Sequence, residues 1–221
     1  MSVLLNGTVT FLFTDIEGST RRWDSDRAAM SAALARHDAL LRRVIESVGG
    51  SVFKTVGDAF CAVFDSAADG VAAALAAQRS LAAEDWSVFG ADFAPLRVRM
   101  ALHAGEAEAR DGDWFGPPLN RVSRLLAAGH GGQVLLSGAI RPQLEGGLPD
   151  GVGLRDLGER RLKDLRQPEH VFQLVAPGLP AEFAPLATLD ARPNNLPVQL
   201  TPLIGREAEI AGRAGMAVGA D

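Results

Sequence analysis

A single cysteine, Cys61, leaves the chain no way to form an internal disulfide. The four histidines, His37, His103, His130 and His170, lie far apart and never stand four residues from one another, which argues against a zinc site. No apolar run approaches membrane-spanning length, and Met1 to Gly7 shows no basic-then-apolar leader. The expectation is a cytoplasmic chain, or the cytosolic part of something larger, with no membrane partner. Aromatics are few, at 6%, while 47% of residues are apolar and rich in Ala, Leu and Val, a soluble composition that excludes extensive disorder. Positive charge is not in excess: the net charge of -5 argues against a nucleic-acid partner held by a general basic surface, though not against a local basic cluster around a triphosphate. At 221 residues there is enough chain for one domain with a sizeable core and something left over.

What is present is organised around Val9-Thr10-Phe11-Leu12-Phe13-Thr14-Asp15-Ile16-Glu17-Gly18-Ser19-Thr20. A β-branched and aromatic run ends at an acid, a glycine and two hydroxyl residues, the composition of a buried strand breaking into a helix start. Asp15 then falls at the strand's carboxyl end, where ligands collect in sheets covered by helices, and Gly18-Ser19-Thr20 offers backbone N–H groups suited to phosphate. An acid for a metal beside amides for a phosphate points to a nucleotide. The plain alternative is that Asp and Ser cap the helix and Gly-Ser-Thr is loop chemistry.

Helical periodicity runs from Ser19 to Ser47, with Leu34, Leu40, Leu41, Val44, Ile45 and Val48 on one face, and Gly49-Gly50 stops it. Ser51 to Val56 and Ala59 to Phe64 read as strands joined by a tight hairpin at Gly57-Asp58. Ser66 to Ala83 is an alanine-rich helix, and a loop with Trp86, Phe89, Phe93 and Pro95 leads into a strand from Leu96 to Leu102. His103-Ala104-Gly105-Glu106 is expected to turn the chain back through Ala107 to Arg110, and Asp111-Gly112-Asp113 to turn it again. Pro118 to Ala127 suits a helix ended by Gly129, Gln133 to Leu136 and Val171 to Val175 read as strands, and Gly158 to Leu165 is a basic, turn-flanked segment between them. The mixture predicts an α/β or α+β sandwich, a sheet with helices packed on it. From Ala176 to Pro197 prolines interrupt all periodicity, which predicts a linker, so the expected division is a domain over 1–175 and a linker with tail over 176–221.

Polar residues recur where a core would not want them: Lys54 in an otherwise apolar strand, Asp58 at a hairpin tip, and Asp113, Asn120 and Arg124 further on. Taken singly, each has an ordinary structural reading as a solvated strand lysine, a Gly-Asp turn or an exposed helix face. Taken in order, the runs Phe13-Thr14-Asp15-Ile16, Lys54-Thr55-Val56-Gly57-Asp58, Asp113-Trp114-Phe115-Gly116 and Asn120-Arg121-Val122-Ser123-Arg124 resemble the catalytic domain of class III nucleotidyl cyclases, of the adenylyl type, over residues 6 to 175. Pro117 and Pro118 before the Asn-containing helix, and Leu119 where valine is common, depart mildly from the pattern.

The resemblance implies a ferredoxin-like cyclase fold with a mainly antiparallel sheet. It also implies conversion of ATP to 3′,5′-cyclic AMP and pyrophosphate. Asp15, Asp58 and the Ile16 carbonyl would hold two divalent cations, and hard oxygen ligands suit Mg²⁺ or Mn²⁺, which would activate the ribose 3′-hydroxyl and neutralise the pyrophosphate. Asn120 would orient the ribose and Arg124 would stabilise charge on the α-phosphoryl group. Lys163, in Arg160-Arg161-Leu162-Lys163-Asp164, matches the family's phosphate-binding lysine, with Arg160 and Arg161 as neighbouring competitors. Gly18, Ser19 and Thr20, whose backbone N–H groups suit phosphate, would add substrate contacts. Lys54 has only donors and ionised Asp113 only acceptors, which suits adenine and opposes guanine. Each mismatched buried contact costs on the order of 1 to 3 kcal/mol, so two give a preference of about a hundredfold or more at about 1.4 kcal/mol per decade.

In this family metal acids come from one subunit and base, ribose and phosphate contacts from another, which implies a homodimer with twofold-related sites. A domain of this kind that binds nucleotide with little turnover is the alternative. The tail Asn194-Asn195-Leu196-Pro197-Val198-Gln199-Leu200-Thr201-Pro202-Leu203-Ile204-Gly205-Arg206-Glu207 resembles the lead-in to a STAND-type regulatory ATPase, but Gly-x-x-x-x-Gly-Lys-Ser/Thr does not follow. It reads as a remnant, a cut point in a longer chain, or a docking tail for a regulatory domain or partner.

Overall fold

The computed structural model describes residues 7–144 and 147–191; the tail from residue 192 and the first six residues lie outside the described residues. The elements in chain order are β1 (Thr8–Ile16), α1 (Ser19–Ser25), α2 (Arg27–Ser47), β2 (Ser51–Val56), β3 (Ala59–Phe64), α3 (Ala67–Ala83), β4 (Val98–Glu106), β5 (Glu108–Arg110), β6 (Asp113–Phe115), α4 (Pro117–Ala128), β7 (Val134–Ser137), β8 (Gly153–Arg160) and β9 (Glu169–Val175). Seven strands form one sheet in the order β2-β3-β1-β4-β7-β9-β8, and β5 with β6 forms a separate ribbon. Every pairing in the large sheet is antiparallel except β4 with β7. This is the mixed, mainly antiparallel sheet with packed helices that was expected.

Strand alternation sends successive side chains to opposite faces. Leu12, Phe60, Ala62, Phe64, Met100 and Leu102 pack with residues of α2 and α3 such as Met30, Leu41, Ile45, Val71 and Leu75. Val9, Phe11, Val63, Ala101 and Leu135 pack on the other face with Val122 and Leu125 of α4. Both layers are dry: Leu12, Phe11, Leu41 and Val122 are fully buried. Truncating such a leucine to alanine costs about 2–5 kcal/mol.

Local chemistry explains where the elements stop, including where they differ from expectation. The helix expected from Ser19 to Ser47 is two helices. Asp26 is extended (φ -149°, ψ 98°) and its side chain accepts from the Ala29 backbone N–H at 2.9 Å, so an N-cap interrupts a periodicity that apolar spacing alone cannot resolve. Gly49 ends α2 at φ 79°. At Gly50, a Cβ would lie 2.2 Å from the Phe64 ring, so the chain enters β2 where only glycine lets the backbone pass.

His103-Ala104-Gly105-Glu106 is not a turn; it continues β4, pairing with β1 to the Thr8–Glu106 register. The second expected turn is present, at Asp111 (φ 52°) and Gly112 (φ 80°), two consecutive left-handed residues that tighten the β5–β6 hairpin, while Asp113 already belongs to β6. Part of the basic segment at Gly158 to Leu165 is strand: β8 runs from Gly153 through Arg160, with an irregularity between Asp156 and Gly158 that hid its alternation. Residues 176–191 belong to the same compact unit as the sheet, so the start of the Pro-rich stretch is a strap laid on the domain. Along it, the backbone N–H of Ala187 donates to the Ala128 carbonyl at 3.0 Å and Leu186 is buried in the α4-side core.

Candidate active site

Asp15 is the last residue but one of β1 and shares the parity of Phe11 and Phe13, so it projects on the α4 face at the strand's carboxyl end. The β1–β3 register, with Thr14 across from Phe60, carries the turn residue Asp58 to the level of Ile16. Gly57, at φ 61°, closes that turn, and Asp58 Oδ2 accepts from the Ile16 backbone N–H at 3.0 Å. The two acids expected to hold metal are thus brought to one sheet edge.

The donor set fits a hard cation. Two carboxylates and the Ile16 carbonyl supply oxygen only, and among the described residues no group of three or more His, Cys, Asp or Glu forms a competing cage. A Mg²⁺-like ion bound by one or two carboxylates, with water and substrate phosphate completing its shell, matches that count.

Across the ladder from Asp15 stands Arg99 of β4. Its Nε donates to Asp15 Oδ2 at 2.8 Å, and Nη2 donates to the same oxygen. Both side chains are only partly exposed, at 30% and 23%. Next along the chain, Glu17 Oε1 accepts from the Gly131 backbone N–H at 3.0 Å while Arg97 donates to the Gly131 carbonyl, bracing the turn that follows Ile16. Gly18, at φ 70°, precedes α1, with Ser19 its first residue and Thr20 exposed in its first turn.

Lys54 and Asp113 meet as an ion pair. A bulge in β2 makes this possible. Val52 pairs with Ala62 but Lys54, not Phe53, pairs with Cys61, so the extra residue turns Lys54 from the α2/α3 side to the α4 side of the sheet. Asp113 is delivered by the β5–β6 ribbon, seated by Trp114 packed edge-on against Phe11 with ring centroids 5.6 Å apart. Hydrogen bonding to Lys54, then to the Trp114 backbone N–H, holds the Asp113 carboxyl below its usual range, and the same bond raises Lys54. Burial pushes the neighbouring Cys61 thiol up to about 11, so it stays protonated.

Asn120 and Arg124 sit one turn apart on α4, whose opposite face buries Pro118, Val122 and Leu125. They line a cleft of about 490 Å³ with Arg121, Asp164, Leu165, Arg166 and Gln167. Arg124 Nη2 lies 3.0 Å from Asp164 Oδ2. Lys163 is exposed beside Asp164 on the same loop but does not line the cleft. Arg121 donates to buried Glu169 of β9 at 2.7 Å, tying α4 to the sheet. Neither Asp15 nor Asp58 lines this cleft, so within one chain the expected site residues form three groups: the paired acids, the Lys54–Asp113 pair, and the α4 cleft.

Arg99, Glu17 and Arg166 escaped the sequence reading. Arg99 carried a signal, a permanent cation alternating with Val98 and Met100 in a strand otherwise buried, but only pairing with β1 reveals the acid it serves.

Comparison with known proteins gives the family to which this sheet and its two acids belong. Residues 3–175 match the Adenylate and Guanylate cyclase catalytic domain, and the chain belongs to that family. It is 39% identical to an uncharacterized protein of Mycobacterium tuberculosis over 93% of this chain and 69% of that one. It is 30% identical to the adenylate cyclase of Podospora anserina over 76% of this chain but only 10% of the fungal protein. Among solved structures, an adenylate cyclase of Trypanosoma brucei in its monomeric state superimposes with a TM-score of 0.73 at 27% identity, covering 82% of this chain and 94% of that one. The adenylyl cyclase CyaB of P. aeruginosa, at 23% identity and a TM-score of 0.66, shares the fold over 76% of this chain and 93% of its own.

Proposed function

We propose that the chain is an adenylyl cyclase that converts ATP to 3′,5′-cyclic AMP and pyrophosphate, acting as a homodimer in the cytoplasm with sites shared between two copies. The observation that carries the choice of base is the Lys54–Asp113 pair: a donor-only and an acceptor-only side chain held side by side match the ring nitrogen and exocyclic amine of adenine. The separation of the acids from the α4 cleft supports sharing, since twofold symmetry would bring one chain's Asp15 and Asp58 to the other's Asn120 and Arg124.

In this reading Lys54 and Asp113 select the base, and Asn120 holds the ribose so that its 3′-oxygen faces the α-phosphorus in line with the departing pyrophosphate. As that oxygen gives up its proton, to Asp15, a substrate phosphate or water, and bonds to phosphorus while the bond to the β-phosphate bridge breaks, the Arg124 guanidinium stabilises charge gathering on the α-phosphoryl oxygens. Lys163 and the amides of Gly18, Ser19 and Thr20 bind the triphosphate. Asp15, Asp58 and the Ile16 carbonyl would hold Mg²⁺ or Mn²⁺, which would lower the pKa of the hydroxyl and neutralise the leaving group.

A nucleotide-binding domain with little turnover is the second reading. It is favoured by the engagement of Asp15 with Arg99 and of Arg124 with Asp164, which metal and substrate must share or displace. The test is product formation from ATP and from GTP with Mn²⁺, beside an Asp58→Ala control. Cyclic AMP formed about a hundredfold faster than cyclic GMP, and lost in the control, is the expected result. Equal rates would overturn the base assignment, and ATP binding without metal-dependent product would favour the second reading.

A further inference from the structure

The strap over residues 181–190 is bonded to the last residue of α4 and to Arg161, at the start of the loop that carries Asp164. At its start, Arg155 of β8 donates to the Ala181 carbonyl at 2.9 Å and pairs with Glu182, while Gln173 of β9 donates to the same carbonyl at 2.7 Å. Phe183 then lies parallel to the His130 ring, and His130 Nε2 is 3.1 Å from the Pro185 carbonyl. Leu186 is 8% exposed and shares a core with Leu125 and Ala128 of α4 and with Leu162. Ala187 donates to Ala128, the last residue of α4. The backbone N–H of Leu189 donates to the Arg161 carbonyl at 2.9 Å, and the Arg161 N–H donates back to Asp190 Oδ2 at 2.7 Å.

That last exchange has a consequence for the cleft. Arg161 opens the short loop that carries Leu162, Lys163 and Asp164, and Asp164 holds a left-handed conformation at φ 61° while pairing with Arg124. A non-glycine residue in that conformation persists only where its surroundings over-determine it. Buried Leu162 anchors the loop from below, and Leu165 closes it with a hydrogen bond to the Leu162 carbonyl. The strap closes it from outside, through Arg161. Leu186 shares one core with Leu125 and Ala128 of α4 and Leu162 of the loop, so one segment ties the helix that carries Asn120 and Arg124 to the loop that carries Lys163 and Asp164.

We propose that the strap is a positioning element of the triphosphate cleft, in which Asp190, clamped to the Arg161 backbone, and Leu186, wedged between α4 and Leu162, hold the 161–165 loop in register with α4. The inference rests on the cyclase reading for the identity of the ligand, but the register it describes belongs to the fold. Asp190 touches no substrate; it acts through the loop.

The test uses the full chain with Asp190→Ala, Asp190→Asn and Leu186→Ala. Loss of one such hydrogen bond, worth about 1 kcal/mol, is expected to raise amide hydrogen exchange over 161–166 about fivefold while leaving the β2–β3 hairpin unchanged. The KM for ATP should rise by a similar factor with kcat within about twofold, because the loop contacts substrate and transition state alike. Asp190→Asn keeps a side-chain acceptor and should restore both readouts. Unchanged exchange over 161–166 in Asp190→Ala overturns the proposal. So does activity that falls only in proportion to the folded fraction with KM unaltered, the mark of a merely structural role. If the wild-type chain binds ATP without forming product, the cyclase reading fails, and calorimetric ATP affinity measured with Ca²⁺ takes the place of KM with the same expected shifts. Failure of the wild-type chain to bind ATP would overturn this inference as well.

Discussion

Arg99 directs two N–H groups at a single oxygen of Asp15, Oδ2, from the position directly across the β1–β4 ladder. A cation bound by Asp15 must share that carboxylate with a guanidinium or displace it, and two positive charges at one partly buried carboxylate repel. Arg99→Gln should therefore lower the Mn²⁺ concentration giving half-maximal activity about three- to tenfold, a difference of about 1 kcal/mol. A metal titration of activity measures it; an unchanged or higher half-saturating concentration would show that Arg99 supports the metal-bound state.

The Lys54–Asp113 pair is exposed enough that solvent screens it, so its value lies in recognition. Lys54→Ala and Asp113→Asn should leave thermal stability nearly unchanged while raising the KM for ATP about tenfold and narrowing the preference over GTP. Paired melting and steady-state kinetics separate the two effects. Because the Asp113 pKa is lowered, the small stabilisation from its charge is present above its unfolded pKa and fades only as pH falls through the folded one, below the neutral range.

Sites shared across a twofold axis predict complementation. Inactive Asp15→Ala and Arg124→Ala chains, mixed and allowed to exchange subunits, should regain about one quarter of wild-type activity, since about half the dimers are mixed and each has one complete site. No recovery from folded, demonstrably mixed dimers would count against shared sites.

His103 provides a pH signature independent of substrate. Burial, aided by the charge of Arg121, brings its pKa from 6.5 down to about 4, and its Nδ1 lies 2.6 Å from Ser137 Oγ. The unfolded chain binds this proton more readily than the folded one, so the contribution is whole above pH 6.5 and is lost as pH falls toward 4. The loss amounts to at most about 3 kcal/mol at about 1.4 kcal/mol per pKa unit. Melting temperatures across that window should fall in the wild type and flatten in His103→Gln, and an NMR titration of the ring checks the pKa directly.

The hairpin at Gly57-Asp58, the N-terminal strand and the Asn-containing helix were legible because each rests on local chemistry: turn glycines, β-branched runs, and prolines in a helix's first turn. The division at Asp26, the continuation of β4 through Glu106, and β8 were not legible. A cap hydrogen bond, a pairing with β1 and a bulge against β9 override what the residues themselves prefer. The irregularity beside Lys54 is equally invisible in one dimension, yet it decides which face of the sheet the lysine serves.

By itself the sequence determined the family, the order of the acids and bases along the chain, and the apolar faces that bury the sheet, because residue type and short spacing act locally and survive in one dimension. Tertiary structure alone decided that Arg99 engages Asp15, that Asp58 reaches Ile16, that the acids stand apart from the α4 cleft, and that the start of a proline-rich stretch bonds to the end of α4 and to Arg161. Those relations join residues from 42 to 84 positions apart at Asp15, Ile16 and their partners. Only sheet register and packing against a common core bring such residues to hydrogen-bonding distance.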